Sequence, residues 1–263
     1  MEKRTFIGDL NQRVGESVTI NGWVSVRRDQ GKMVFFDFRD MTGSVQGVVL
    51  PKSAAIETAK DVRVESAVAI TGLVNKRPDK NIQEGKQNGD IELQIEGIEV
   101  LGAAATLPFE ISGDTAGINE ETRLKYRYLD LRSERMQRNI RLRSEFVRLC
   151  REFLFKSSFT EVETPLLTES TPEGSRDFVV PSRLHKGKFY ALRQSPQQYK
   201  QLLMVGGLEK YFQLARAIRD EDLRADRGFE HTQVDIEMSF VTQEDVMTLV
   251  ERMMTEAAEA MGY

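Results

Sequence analysis

The sequence predicts an all-β barrel followed by an α+β domain built on an antiparallel sheet. Three observations carry this. Short strand patterns separated by Gly, Asp, Asn and Pro fill the first hundred residues. A weakly patterned stretch rich in Ala, Gly and Thr, with Pro108, interrupts them. Beyond it, strands neighbour helices without the regular alternation that marks a parallel sheet.

The barrel strands are expected at 18–26, 33–39, 44–50, 67–73 and 91–101. Period-2 alternation is clearest in VTINGWV and IELQIE. A helical stretch at 54–62 falls between the third and fourth strands. That order fits a five-stranded OB barrel, and the strand count fits an SH3-like barrel equally well. Trp23 is assigned to the core. The domains are read as 1–103 and 134–263, with a linker and hinge at 104–133.

In the second domain Leu142, Phe146, Leu149, Cys150 and Phe153 repeat at helical spacing and predict an amphipathic helix over 134–156. Strands are expected at 210–219 and 232–240, joined by a highly charged loop. A closing helix follows at 243–261, with Thr242 as its N-cap.

Composition narrows the functions. One cysteine, Cys150, on an apolar helix stripe excludes a disulfide framework or a cysteine zinc site. No apolar run is long enough to span a membrane, and MEKRTFIGDL is too polar for a signal peptide, so a cytoplasmic location is expected. The net charge of −4 argues against broad attraction to nucleic acid. Any such contact must be local, and two basic concentrations qualify. One comprises Arg27, Arg28, Lys32 and Arg39; the other places eight Lys or Arg against two acids between Arg123 and Arg143.

The most unusual stretch is 216–237, where Arg216, Arg219, Arg224 and Arg227 crowd among many acids between two apolar strand patterns. Such density costs self-repulsion and desolvation unless charged ligands or paired partners absorb it. It reads either as a hairpin laced with ion pairs or as a loop gripping a phosphate-bearing substrate, since arginine forks match phosphate oxygens.

FQLARAIRDEDLRADRGFEHTQVDIEMSF resembles motif 2 of the class II aminoacyl-tRNA synthetases, in the wording of bacterial aspartyl enzymes. ETPLLTESTPEGSRDFVVPSR and FYALRQSPQQYKQLLM are similar to that family's aspartate-binding segments. SSFTEVETPLL resembles motif 1, which builds the homodimer. INGWVSVRRDQGKMVFFDFRDMTGSVQ resembles the anticodon-binding OB barrel, and RYLDLR the hinge after it.

The resemblance implies an aspartate-tRNA ligase. Aspartate attacks the α-phosphorus of ATP, entering with Mg²⁺, and the adenylate then passes its acyl group to the 3′ end of a tRNA for aspartate or also for asparagine. Arg219 would hold the α-phosphate and the amino-acid carboxylate, neutralising charge during attack. Asp220, Glu221 and His231 would line the ATP site, with Glu221 accepting from the adenine amino group. Glu173 would receive the α-ammonium of aspartate. Gln197 and Lys200 would recognise its side chain, with Asp235 holding Lys200, since a buried ammonium needs a fixed counter-charge. Neither step needs a protein nucleophile or a protein-bound metal; positioning and electrostatics suffice. On the barrel Arg28, Phe35 and Gln46 match the anticodon-contact positions, reading single-stranded bases by stacking and edge hydrogen bonds.

The chain departs from the family's pattern in three places. Motif 3 and the large inserted domain are absent from these residues, so the chain alone is expected not to complete the adenylation site; a tRNA-binding and dimerisation module without turnover is the alternative. Gly228-Phe229-Glu230-His231 stands where Gln-Pro-Glu-Phe is usual. Ser158 stands in motif 1 where glycine is commoner.

Overall fold

Alternation of apolar residues closes the first five strands on themselves. The computed structural model describes residues 4–224 and 227–263, and the chain divides into two units, Met1–Met136 and Gln137–Tyr263. In the first, β1 (Ser17–Asp29), β2 (Val34–Arg39), β3 (Ser44–Val49), β4 (Ala67–Lys76) and β5 (Ile91–Gly102) form a closed barrel in the order β1-β2-β3-β5-β4. The helix α1 (Ile56–Asp61) lies between β3 and β4, which selects the OB arrangement. All ladders are antiparallel except β3 with β5, joined in parallel at Gly47↔Leu93 and Val48↔Gln94.

The alternation sorts side chains with period two. On β2, Val34, Phe36 and Phe38 are buried while Phe35, Asp37 and Arg39 face outward. Phe36 and Phe38 stack at 5.4 Å inside a core with Ile20, Val24, Ile70, Leu93 and Ile95, plugged by Ile7 and Leu10. Each such burial contributes about 1.5–3 kcal/mol. Gly47 is required here, because a Cβ would lie 2.8 Å from Ile95 Cδ1 and Phe38 Cε2.

The same parity corrects the assignment of Trp23 to the core. Val18, Ile20 and Val24 point inward, so Trp23 points out and is 39% exposed. It pairs across the ladder with Arg39, and the Arg132 guanidinium sits 5.7 Å from its ring centroid. Both arginines converge on Glu65, buried at a left-handed φ of 71°: Arg39 Nη2 is 2.6 Å from its carboxylate, and Arg132 also pairs with it. Arg132 follows two short helices, α2 (Glu120–Lys125) and α3 (Arg127–Asp130). Between them and the barrel, residues 104–119 carry only a single 3-10 turn, Thr115–Gly117. Asp130 is fully buried, accepting from Thr115 Oγ1 at 2.6 Å and from Arg127 at 2.7 Å.

The second unit is led by α4 (Glu134–Lys156). One sheet has the order β11-β10-β6, from β6 (Thr160–Glu161), β10 (Lys210–Ile218) and β11 (Glu230–Met238); β10 and β11 are antiparallel and β6 adds in parallel. A smaller antiparallel sheet joins β7 (Leu167–Thr168), β9 (Phe189–Leu192) and β8 (Val179–Pro181). The helices α5 (Gln197–Val205) and α6 (Gln243–Ala260) complete it. Cys150, Phe153, Leu154 and Phe159 pack on Phe212 and on Met253 of α6, so the lone cysteine is core. Thr242 caps α6 in a reciprocal capping box with Asp245.

Three helices end alike. At α4, Phe159 N–H donates to Leu154 O and Ser158 N–H to Phe155 O; at α5, Leu208 N–H donates to Leu203 O and Gly207 N–H to Met204 O; at α6, Tyr263 N–H donates to Ala258 O and Gly262 N–H to Glu259 O. These are Schellman terminations with the left-handed residue at Ser158, Gly207 and Gly262. The turn at Ser158 forms without the usual glycine, at a φ of 66°.

Candidate functional site

In the second unit, β10 and β11 carry the charged residues and the segment 173–205 is laid against them. Lys200, on α5, is 8% exposed. Its Nζ donates to Asp235 Oδ1 on β11 at 3.0 Å and lies 3.2 Å from Glu237 Oε2, two residues along the same strand face. The buried ammonium is charge-compensated by these two carboxylates, and Nζ also donates to Ile236 O at 3.5 Å. Among the described residues, buried Asp235 Oδ2 has no hydrogen-bond partner.

Beneath this pair lies a buried polar layer that the sequence patterns did not single out. Arg193 donates to Thr164 O at 2.7 Å, Pro165 O at 3.1 Å and Arg216 O at 3.1 Å. Burial pushes its pKa below the ordinary arginine value. Gln213 accepts from Thr164 Oγ1 at 2.8 Å and from the Tyr211 hydroxyl at 2.9 Å. Burial, reinforced by the nearby Asp235 charge, holds the Tyr211 hydroxyl protonated well above its usual range.

Glu173 and Glu221 are tied together by one loop. Ser195, just before α5, donates to Glu173 Oε2 at 2.7 Å, and Ser175 donates to Glu221 Oε1 at 2.7 Å. Gln194, 1% exposed, pins the loop by accepting from Ser175 N at 3.1 Å and donating to Ser175 O at 2.9 Å and Asp177 Oδ1 at 2.5 Å. Glu221 also pairs with Arg227, so both its oxygens are engaged. Asp220 joins the same loop, with its N–H donating to Arg176 O at 3.0 Å. The neighbouring N–H of Arg219 donates to Phe229 O at 2.8 Å, fixing the backbone where β10 ends. Among the described residues the half-buried Arg219 guanidinium has no ion-pair partner. Arg216 pairs with Glu230, and Phe229 packs edge-on against Phe178 at 5.4 Å. The charged hairpin is therefore laced with ion pairs. His231 stands half-buried on β11 opposite Ala217. Gln197 opens α5, its N–H donating to Ser195 Oγ at 3.3 Å.

On the barrel, Arg28, Phe35 and Gln46 share one outer face. Arg28 pairs with Phe35 across β1 and β2, and Gln46 pairs with Asp37 across β2 and β3. Arg28 makes a two-pronged ion pair with Asp37, at 3.1 and 2.9 Å. Phe35 is half-buried on this face while Phe36 and Phe38 fill the core, which separates the three phenylalanines by parity. Among the described residues no helix is long and apolar enough to cross a membrane, and no group of three or more His, Cys, Asp or Glu could hold a metal ion.

Known proteins match both units. Residues 18–101 match the family model of the OB-fold nucleic acid binding domain. A curated Aspartate--tRNA(Asp/Asn) ligase of Corynebacterium aurimucosum is 51% identical over 259 residues, covering 97% of this chain and 43% of the relative. An Aspartate--tRNA ligase of Bacillus licheniformis is 50% identical over 252 residues, covering 95% and 43%. The chain thus spans under half the length of these relatives. Among solved structures, asparaginyl-tRNA synthetase of Pyrococcus horikoshii complexed with asparaginyl-adenylate superposes with a TM-score of 0.83 at 27% identity, covering 98% of this chain and 59% of that one. Aspartyl tRNA synthetase of Entamoeba histolytica does so with 0.79 at 27%, covering 98% and 55%. Residues 119–262, more than half of the chain, match the model of the tRNA synthetases class II (D, K and N), and the chain belongs to that family.

Proposed function

We propose that this chain supplies the tRNA-reading barrel and the first part of the aminoacylation site of an aspartate-tRNA ligase. The observation that carries the reading is the buried Lys200, held by Asp235 and Glu237 on the sheet that also ends in Arg219. A lysine fixed in this way is suited to a carboxylate side chain, and Asp235 orients it. The loop bearing Glu173 would receive the α-ammonium. Its hydrogen bonds to Ser195 and, through Ser175, to Glu221 connect the amino-acid end of the site to the nucleotide end.

Arg219 would bind the α-phosphate of ATP, which enters with Mg²⁺. Its positive charge would offset the negative charge that builds on the phosphorus as the aspartate carboxylate attacks and pyrophosphate leaves. Glu221 would turn from Arg227 to the adenine amino group, with Asp220 and His231 flanking the nucleotide and Gln197 the amino acid. On the barrel, Phe35 would stack on an anticodon base, while Gln46 and Arg28 contact its edge and backbone. The family's motif 1 corresponds to the end of α4 and β6, which we assign to a homodimer contact. The whole is assigned to the cytoplasm.

Two measurements on this chain test the reading. Equilibrium dialysis should show binding of L-aspartate that Lys200→Ala abolishes; unchanged aspartate affinity in that variant refutes the assignment. Filter binding of tRNA alongside ATP-pyrophosphate exchange then separates a ligase from a module that only binds tRNA.

A further inference from the structure

One face of β10 and β11 has a hydrogen-bond donor in excess at one residue and a donor too few at its neighbour. Gln213 and Asp235 stand directly opposite each other in the ladder, as do Tyr211 and Glu237, so all four side chains leave the sheet on the side where Lys200 lies. Tyr211 is fully buried, and Gln213, Thr164 and Arg193 are buried with it. Three donors converge on Gln213 Oε1: the Tyr211 hydroxyl at 2.9 Å, the Thr164 hydroxyl at 2.8 Å and the Thr164 N–H at 3.4 Å. A carbonyl oxygen has two lone pairs to offer them. Arg193 Nη1, which can only donate, approaches the Thr164 hydroxyl oxygen and so turns its proton toward Gln213. Thr164 therefore satisfies Gln213 by itself, and the Tyr211 proton is the one that can be spared.

Asp235 lacks what Gln213 has in excess. Its Oδ1 accepts from Lys200, while among the described residues its buried Oδ2 has no donor, a state that buried carboxylate oxygens rarely keep. Tyr211 stands on the diagonal from Asp235 in the ladder, within reach of an aromatic side chain. Burial, and then the Asp235 charge, push the Tyr211 pKa above its usual range, so the two groups are within electrostatic reach. All three Lys200 protons are engaged, by Asp235, Glu237 and Ile236 O, and a ligand carboxylate that binds the ammonium must loosen one of those contacts. We propose that Tyr211 is a positioning residue for amino-acid binding: its hydroxyl proton swings from Gln213 Oε1 to Asp235 Oδ2 and holds that carboxylate in place as Lys200 turns to the ligand. The O–H rotates about the Cζ–O bond, and the tyrosine stays neutral throughout. This rests on reading Lys200 as the residue that receives the side-chain carboxylate of aspartate.

Two readouts on the full chain test this. In equilibrium dialysis with L-aspartate, Tyr211→Phe fills the same space without the hydroxyl and should weaken binding about tenfold, the scale of one hydrogen bond to a charged group. Thr164→Val should act alike with Tyr211 intact, because Gln213 then claims the tyrosine proton. Thr164→Ser keeps the hydroxyl and loses the methyl, and should bind as the parent does; a role in packing alone gives the reverse order. Carbon-13 NMR at tyrosine Cζ reads the proton itself. Of the six tyrosine signals, the one missing from Tyr211→Phe should move toward the phenolate position when aspartate is added to the parent, as a stronger acceptor draws it. Parental affinity in Tyr211→Phe overturns the proposal, as does a Tyr211 signal that aspartate leaves still. Lys200→Ala separates the failures. If it abolishes binding while Tyr211→Phe and Thr164→Val do not, only the role of Tyr211 falls; if it changes nothing, or the parent does not bind aspartate, the reading of Lys200 falls too. Should Tyr211→Phe fail to fold, the two Thr164 variants decide alone.

Discussion

Lys200 Nζ and Asp235 Oδ1 lie 3.0 Å apart, joining α5 to β11 through a pair of side chains each about nine-tenths buried. Breaking such a pair from one side strands a charge, at a cost of about 3–5 kcal/mol. Lys200→Met should therefore lower the stability of the second unit by about 3 kcal/mol. Chemical denaturation of the variant against the parent at neutral pH checks this; an unchanged midpoint would show that the pair contributes nothing to stability.

Gln194 contacts neither candidate substrate group but holds the loop that carries Glu173. Gln194→Leu keeps the volume and removes three hydrogen bonds. It should weaken aspartate binding about tenfold, equivalent to about 1.4 kcal/mol, while Lys200 and Asp235 stay in place. Calorimetric titration with aspartate measures it, and an unchanged affinity would show that the loop orders itself.

Ser158 occupies a position where the backbone favours glycine, as Gly207 and Gly262 do at the ends of α5 and α6. Ser158→Gly should relieve the left-handed strain and stabilise the second unit by about 0.5–1 kcal/mol after the entropy of the unfolded chain is counted. A thermal melt should show a modest rise in Tm.

Asp40 ties the barrel's N-terminal turn to the β2–β3 hairpin. Its carboxylate accepts from Ile7 N at 3.0 Å, from Thr42 N at 2.7 Å and from Thr42 Oγ1 at 2.6 Å. Burial pushes its pKa up, but these hydrogen bonds outweigh it and hold the group below its ordinary 3.8. A depressed folded pKa contributes stability that is full above the unfolded value and is lost as the pH falls through the folded one. The barrel should lose stability on acidification below about pH 4, and Asp40→Asn should flatten that part of the curve. Urea midpoints between pH 2.5 and 6 measure it.

The sequence made the barrel, α4, β10, β11 and α6 readable because each repeats its apolar residues over several periods. Val34, Phe36 and Phe38 alternate, and Phe146, Cys150 and Phe153 follow helical spacing. The strands β6 to β9 span two to four residues each, too short to hold a period, and their pairing is set by partners far along the chain. The outward place of Trp23 is hidden from the sequence for a related reason. Its hydrophobicity pointed inward, but the parity of β1 and the arginines at 39 and 132 placed it outside. Arg193, Gln194 and Gln213 carried no local signal, since what makes them matter is burial against Thr164 and Ser175, which only the fold supplies.

The barrel is sealed by its shortest ladder, two registered pairs where β3 runs parallel to β5. Every other junction is long and antiparallel, so opening fluctuations should concentrate at that seam, where the loop from β4 enters β5. A ligand lying across the outer face would then act as a clasp, slowing amide exchange in β3 and β5 more than in β1 or β4. Recognition and rigidity of the barrel would in this way be the same event.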